Sequence, residues 1–337
     1  MFAMSKKAGT AKPDKQTIGN RDDLAREPIF RLPPYTVHNI FVGLSEIQDW
    51  GLKLLNIPSL WRITEGEGVK VAILDTGVSL NHPDLTGSIP ADSFKDFTDS
   101  PHGIADQQGH GTHCAGIVAA RKNSRGVVGV APKAELLIGK VLGDDGSGIG
   151  ENIAAGVNWA VEQGADIISM SLGAQVDIPI IHDAIKTGVE KGAFFICAAG
   201  NDSLNFVDYP GAYKETIAVG SINRRCQLSS FSSVGEEVTV VAPGEDVLST
   251  YPPNAYVKLS GTSMATPFVA GVVALMLSKH RKFGGETPLD TQADVEKHLS
   301  MMAIDLGAPG FDPQFGWGLI NPGSLVTKLK AGGEIPC

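Results

Sequence analysis

The sequence predicts an α/β fold with a mostly parallel central sheet and helices on both faces. Three observations predict it. From about residue 69, short apolar runs recur, of the kind that forms strands buried on both faces. Segments with helical patterning alternate with them. Glycine supplies 40 of the 337 residues, and its clusters fall between the runs, where tight turns and close backbone approach are needed.

In chain order, residues 1–28 are polar, without an apolar period, and form a head. Residues 29–43 are apolar but carry Pro33 and Pro34. Proline fixes φ and removes an N–H donor, so this stretch is extended. Residues 69–74 form a short strand that runs into Asp75-Thr76-Gly77. Helix is expected over 109–121, strand over 134–142, helix over 151–163, strand over 166–171, helix over 178–191 and strand over 193–199. Three more short strands follow at 216–221, 238–242 and 247–250. A long apolar helix spans 262–280, and a last helix 291–300. No composition break interrupts the body and no repeat is found. The organisation is an N-terminal extension 1–44, one domain 45–330 and a tail 331–337.

Net charge is −9, but unevenly spread: residues 1–31 carry about +3 and the rest about −12. An acidic body argues against nucleic acid as a partner. Cys114, Cys197, Cys226 and Cys337 include no C-x-x-C pair and make no disulfide framework. Cys114 and Cys197 lie in apolar runs and read as buried. The opening residues lack the apolar run of a secretory signal. The apolar stretch 264–277 is shorter than the roughly 20 residues a spanning helix needs. The expectation is a cytoplasmic protein without a membrane partner.

Three stretches carry chemistry. Asp75 ends a strand. His110 opens a helix in Gly-His-Gly-Thr-His-Cys. Ser263 sits at a helix start in Gly-Thr-Ser-Met-Ala. A carboxylate, an imidazole and a hydroxyl are the parts that activate an alcohol nucleophile. The imidazole can take the proton near neutrality. A helix N-terminus favours the developing oxyanion, and Asn201, after Ala198-Ala199-Gly200, offers a second donor. His110 and His113 are spaced i, i+3 without the H-E-x-x-H pattern of a zinc pair, so His113 reads as packed in the core. Cys114, near His110, predicts sensitivity to mercurials. The loop 142–150 contains Gly-x-Gly but not the full dinucleotide fingerprint.

Taken together, in the order Asp, His, Asn, Ser, these blocks resemble the subtilisin-family serine proteases (subtilases), over about residues 45–325. The order itself is the known order of that family. The resemblance implies a three-layer subtilisin-like fold and a serine endopeptidase acting on protein or peptide substrates. In it Asp75 orients, His110 is the base, Ser263 attacks, and Asn201 with the Ser263 N–H holds the oxyanion. It further implies that Gly146, Ser147 and Gly148 form one edge for an extended substrate and Ser171, Leu172 and Gly173 the facing edge. Ala199 and Gly200 would wall the pocket for the residue before the cut bond. Asp208 lies near that pocket, either favouring Lys or Arg or solvated at its rim.

The same resemblance implies one strong Ca2+ site. Asp84 and Asn123 would supply side-chain oxygens and Arg121, Arg125 and Val127 backbone carbonyls, an oxygen cage suited to a hard cation. Glu46 or Gln48 is a candidate additional ligand. A second, weaker cation site would use carbonyls near Gly211, Tyr213 and Thr216, with Thr239 in place of a carboxylate and Glu237 close by. The segment Leu32-Pro33-Pro34-Tyr35 resembles the inhibitory Leu-Ile-Pro-Tyr of intracellular subtilisins, with Pro33 in place of Ile. It implies a latent precursor whose extension lies across the cleft, and the subfamily implies a homodimer. Two other readings use the same residues. An esterase would need a second glycine where Ala265 stands. A catalytically silent peptide-binding protein would not label with a fluorophosphonate.

Overall fold

The computed structural model describes residues 30–32, 35–284 and 288–325. Pro33 and Pro34 lie outside them. Seven strands form the central sheet: β3 (Lys70–Asp75), β4 (Phe94–Asp96), β5 (Glu135–Lys140), β7 (Ile167–Met170), β8 (Phe194–Ala198), β9 (Ile217–Ile222) and β10 (Val238–Pro243). Their order is β10-β9-β8-β7-β3-β5-β4, and every neighbouring pair is parallel. Outside the edge strand β4, nearly all their residues are buried because both faces are covered.

The period-2 geometry of a strand sorts side chains between two cores. In β3, Val71 and Ile73 join the core of α3 (His110–Ala119), α6 (Thr262–Phe283) and α7 (Gln292–Met302). Ala72 and Leu74 face the other core, against α4 (Gly150–Glu162) and α5 (Pro179–Glu190). The result is three layers, as expected. Helix α6 is long and apolar enough by composition to cross a membrane, but 94% of that window is buried inside the protein. It runs three residues beyond the expected 280, through Arg281 and Lys282, whose charges suit a helix C-terminus.

Three features were not expected from the sequence. The edge strand β4 is only three residues long and lacks an apolar run. Short helices α1 (Trp50–Leu54) and α2 (Ile57–Leu60) precede the sheet. A second sheet joins β11 (Val247–Tyr251), β12 (Ala255–Ser260) and β2 (Thr36–Phe41) in antiparallel register, with Tyr256 opposite Phe41. Residues 252–254, Pro-Pro-Asn, punctuate the sequence and conceal β12; its partner β2 is more than 200 residues away. The N-terminal segment is therefore built into the body from Thr36 on. A two-residue strand β1 (Phe30–Arg31) pairs with β6 (Ser147–Gly148). Cys114 and Cys197 are free and buried, whereas Cys226 is disulfide-bonded, which its spacing did not signal.

Candidate active site

Strands β8, β7, β3 and β5 are adjacent and parallel, so their carboxyl ends open on one edge of the sheet, where α/β folds place their sites. Asp75 is the last residue of β3. The loop 143–148 follows β5, residues 171–173 follow β7, and residues 199–201 follow β8. Helices α3 and α6 begin at the same edge, which brings His110 and Ser263 to it.

Asp75 and His110 are buried, and His110 Nδ1 stands 2.9 and 3.0 Å from the two Asp75 oxygens. The N–H is therefore on Nδ1, and Nε2 is the basic nitrogen. Burial disfavours the charged ring, but the charge and hydrogen bond of Asp75 together with Cys114 outweigh it and hold the His110 pKa well above its usual value. Nε2 is buried without a hydrogen-bond partner. Thr76 N–H donates to Asp75 Oδ1 at 2.8 Å and fixes the carboxylate. A Cβ on Gly111 would come within 2.3 Å of the Gly77 carbonyl, so glycine there lets α3 approach the end of β3.

Ser263 lies one residue inside α6. Four residues on, Pro267 has no N–H to close the Ser263 carbonyl into the helix. That carbonyl instead accepts from Ser171 Oγ at 2.9 Å and from Cys114 Sγ at 3.5 Å. The Cys114 sulfur is also 3.8 Å from His110 Nδ1, so imidazole and nucleophile helix pack on one thiol. The Ser263 hydroxyl donates to the Ser171 carbonyl at 3.3 Å. Asn201 Oδ1 accepts from Thr262 N and Oγ1 at 2.8 and 2.7 Å. This turns Nδ2 toward Gly261, where a Cβ would lie 2.9 Å from it. Thr262, whose place at a helix start carries no local signal, thus fixes the orientation of the Asn201 amide.

Lys140, also without a local signal, is fully buried beside Asp75 in the β3–β5 register. Its ammonium donates to the Thr76 carbonyl at 2.5 Å and to Asp144 at 3.0 Å. Burial opposes ionisation of Asp144, but His102, Lys140 and Ser100 hold it down at about 2. The substrate loop is thereby tied to the end of β3. His113 Nε2 faces the carbonyls of Val247 and Val257, and burial with the nearby His110 pushes its pKa down to about 3. It is a packed, neutral histidine, as expected. Among the described residues, the one cluster of His, Cys, Asp or Glu close enough to share a metal ion is Asp75, His110 and Cys114, the hydrogen-bonded Asp–His pair with its neighbouring thiol.

The two expected substrate edges are occupied by the chain's own extension. Phe30 pairs with Gly148 and Arg31 with Ser147, Leu32 N–H donates to the Gly146 carbonyl at 3.0 Å, and Arg31 bridges to Gly173 on the facing edge. Phe30 and Leu172 are fully buried in one core. The Tyr35 ring lies 5.2 Å from that of His110, and its hydroxyl meets Gln108 Nε2. Asp208 is buried rather than solvated at a rim. Its N–H donates to the Ala199 carbonyl at 3.0 Å, and its carboxylate approaches Gly173 and Gly200.

The residues expected to hold calcium converge on Asp84, which is fully buried. Its Oδ1 accepts from Asn123 Nδ2 at 2.9 Å and its Oδ2 from Val127 N at 2.9 Å; its backbone carbonyl accepts from Arg121 N at 2.7 Å. Asn123 Oδ1 accepts from Arg125 N, and Glu46 caps the N–H groups of Asn123 and Ser124. The loop follows the C-terminal end of α3. Gln48 lies apart, in a groove with Phe41 and Trp50. Near the second expected site, the carbonyls of Pro210, Gly211 and Tyr213 all lie within 3.1 Å of Thr216 Oγ1.

The chain matches the Subtilase family over residues 66–318. It is 46% identical over 259 residues to the major intracellular serine protease of Bacillus subtilis (strain 168), covering 74% of this chain and 80% of that protein. It is 49% identical over 252 residues to the intracellular serine protease of Paenibacillus polymyxa, covering 72% and 76%. Thermitase of Thermoactinomyces vulgaris is 45% identical over 235 residues, covering 69% and 84%.

Proposed function

The chain belongs to the Subtilase family and is a subtilisin-like serine endopeptidase, and on that premise we propose that it cleaves through an acyl-enzyme built by Asp75, His110 and Ser263 and is made latent by its own N-terminal extension. The observation that carries the catalytic part is the buried Asp75–His110 pair, which leaves Nε2 as the basic atom. Ser263 Oγ leaves the Ser171 carbonyl, gives its proton to His110 Nε2 and bonds to the substrate carbonyl carbon. The carbonyl electrons move to oxygen, where Asn201 Nδ2 and the Ser263 N–H receive them. His110 then returns the proton to the leaving amine as the C–N bond breaks, and water hydrolyses the ester by the same base.

The latent state is supported by the extension's strand pairing on Ser147–Gly148 and by Tyr35 covering His110. In this covered form Nε2 has no bond to Ser263 Oγ. We further assign one calcium site to Asp84, Asn123 and the carbonyls of Arg121, Arg125 and Val127. A buried carboxylate wrapped by one loop fits a hard cation, with the Asn123 amide turned over so that its oxygen faces the ion. Calcium there would brace the loop and takes no part in the chemistry. A cytoplasmic location is supported by the two intracellular relatives.

The test is covalent labelling. A fluorophosphonate is expected to label the protein once its extension is released, and labelling is expected to vanish in Ser263→Ala. Mass spectrometry of both proteins over time follows self-processing. Labelling that survives Ser263→Ala overturns the assignment of the nucleophile.

A further inference from the structure

Two buried polar atoms at the substrate edge have no partner: Asp208 Oδ1 and Ser233 Oγ. Both belong to one spot. A Cβ on Gly200 would lie 2.6 Å from Asp208 Oδ2 and 2.9 Å from Ser233 Oγ; a Cβ on Gly173 would lie 3.2 Å from the same Asp208 oxygen. Gly200 has φ +114°, where a side chain would be strained as well as obstructed. Gly200 and Gly173 belong to the two chain segments that wall the cleft, and the carboxylate lies between them.

A carboxylate that is only 4% exposed and lacks a partner is costly to bury. Among the described residues no lysine, arginine or histidine forms an ion pair with it. The geometry points to Asp208 as a specificity-determining residue: with Ser233 it receives the cationic end of a Lys or Arg side chain immediately before the cut bond. This deepens, and rests on, the endopeptidase reading above. Burial, then the like charge of Asp202, pushes the Asp208 carboxyl up to about 6, as expected of a carboxylate awaiting its counter-ion. A substrate ammonium or guanidinium would supply that charge and donate to both orphaned oxygens.

The experiment measures kcat/KM for the protein activated by release of its extension, on peptide anilides that differ only in the last residue: Lys, Arg, Leu or Phe. Lys and Arg are expected to exceed Leu and Phe by about 10- to 100-fold, and Asp208→Asn is expected to bring the ratio near one. Because that variant could fail to fold, benzamidine and its neutral analogue benzamide are compared as inhibitors of the unsubstituted protein, and only benzamidine is expected to compete. A preference for Leu or Phe, an unchanged ratio in Asp208→Asn, or equal inhibition by benzamidine and benzamide overturns the inference while leaving the endopeptidase reading intact. Absence of hydrolysis of every peptide, together with absence of fluorophosphonate labelling, overturns both.

Discussion

Ser171 and Ser263 bond to each other twice: the Ser171 hydroxyl donates to the Ser263 carbonyl at 2.9 Å, and the Ser263 hydroxyl donates to the Ser171 carbonyl at 3.3 Å. The first bond stands in for the helix bond that Pro267 cannot make. The second holds the Ser263 hydroxyl while Tyr35 lies over His110. Ser171→Ala leaves the Ser263 carbonyl with only the Cys114 thiol, a weak donor. We expect a loss of about 1–3 kcal/mol in denaturant unfolding. A fall in kcat larger than any change in KM is also expected, because the start of α6 loses its anchor. Unchanged unfolding midpoint and unchanged kcat would refute this role.

Release of the extension should activate the enzyme. The chain that begins at Thr36 keeps strand β2 in its sheet but lacks β1 and the Tyr35 ring over His110. It is expected to turn over a short peptide at least about tenfold faster than freshly purified full-length protein, since antiparallel edge pairing competes directly with substrate. Tyr35→Ala should give part of that gain. Initial rates at matched active-site concentration decide it; equal rates would show that the extension is no inhibitor.

Acid should unfold the protein partly through His113. Its pKa is held at about 3 in the folded chain against an ordinary 6.5. The unfolded chain therefore binds a proton that the folded chain refuses between these values. The stability this group contributes is whole above pH 6.5 and is lost as pH falls toward 3. His110, raised instead, contributes in the opposite sense: its share is whole below 6.5 and fades as pH rises through its folded value. His113→Gln should flatten the stability-against-pH curve on the acid side relative to its own value at pH 7. A parallel curve, merely displaced downward, would contradict this.

Calcium should stabilise through Asp84. Thermal unfolding with excess calcium and with a chelator should differ in the unsubstituted protein, by about 2.7 kcal/mol at a calcium concentration 100 times Kd. The difference should disappear in Asp84→Asn, whatever that substitution does to the baseline. Equal melting with and without calcium in the unsubstituted protein would remove the site.

Legibility in the sequence followed the range of the signal. Six of the seven strands of the central sheet were visible because each is a continuous apolar run between turn residues, and β3, β8 and β10 lie within two residues of their expected bounds; the edge strand β4, Phe-Lys-Asp, has no such run and was not visible. The strand β12 was not visible, since it is held by β11 and by β2, the latter from the far end of the chain. Asp75, His110, Asn201 and Ser263 stood out because each sits in a short motif with special turn chemistry. Thr262, Lys140 and Ser233 did not. A threonine at a helix start, a lysine ending a strand and a serine in a polar loop are ordinary local sequence, and their importance comes only from what they meet.

The sequence by itself determined the three-layer order, the chemical parts of the site and the extended character of Phe30–Arg31 and Thr36–Phe41, because these follow from side-chain period and residue type. Tertiary structure alone decided that Arg31 lies between Ser147 and Gly173, that Ser171 replaces a missing helix bond, and that the Asp208 carboxylate is buried rather than solvated. Burial and hydrogen-bond partnership belong to pairs of distant residues, so no local pattern encodes them.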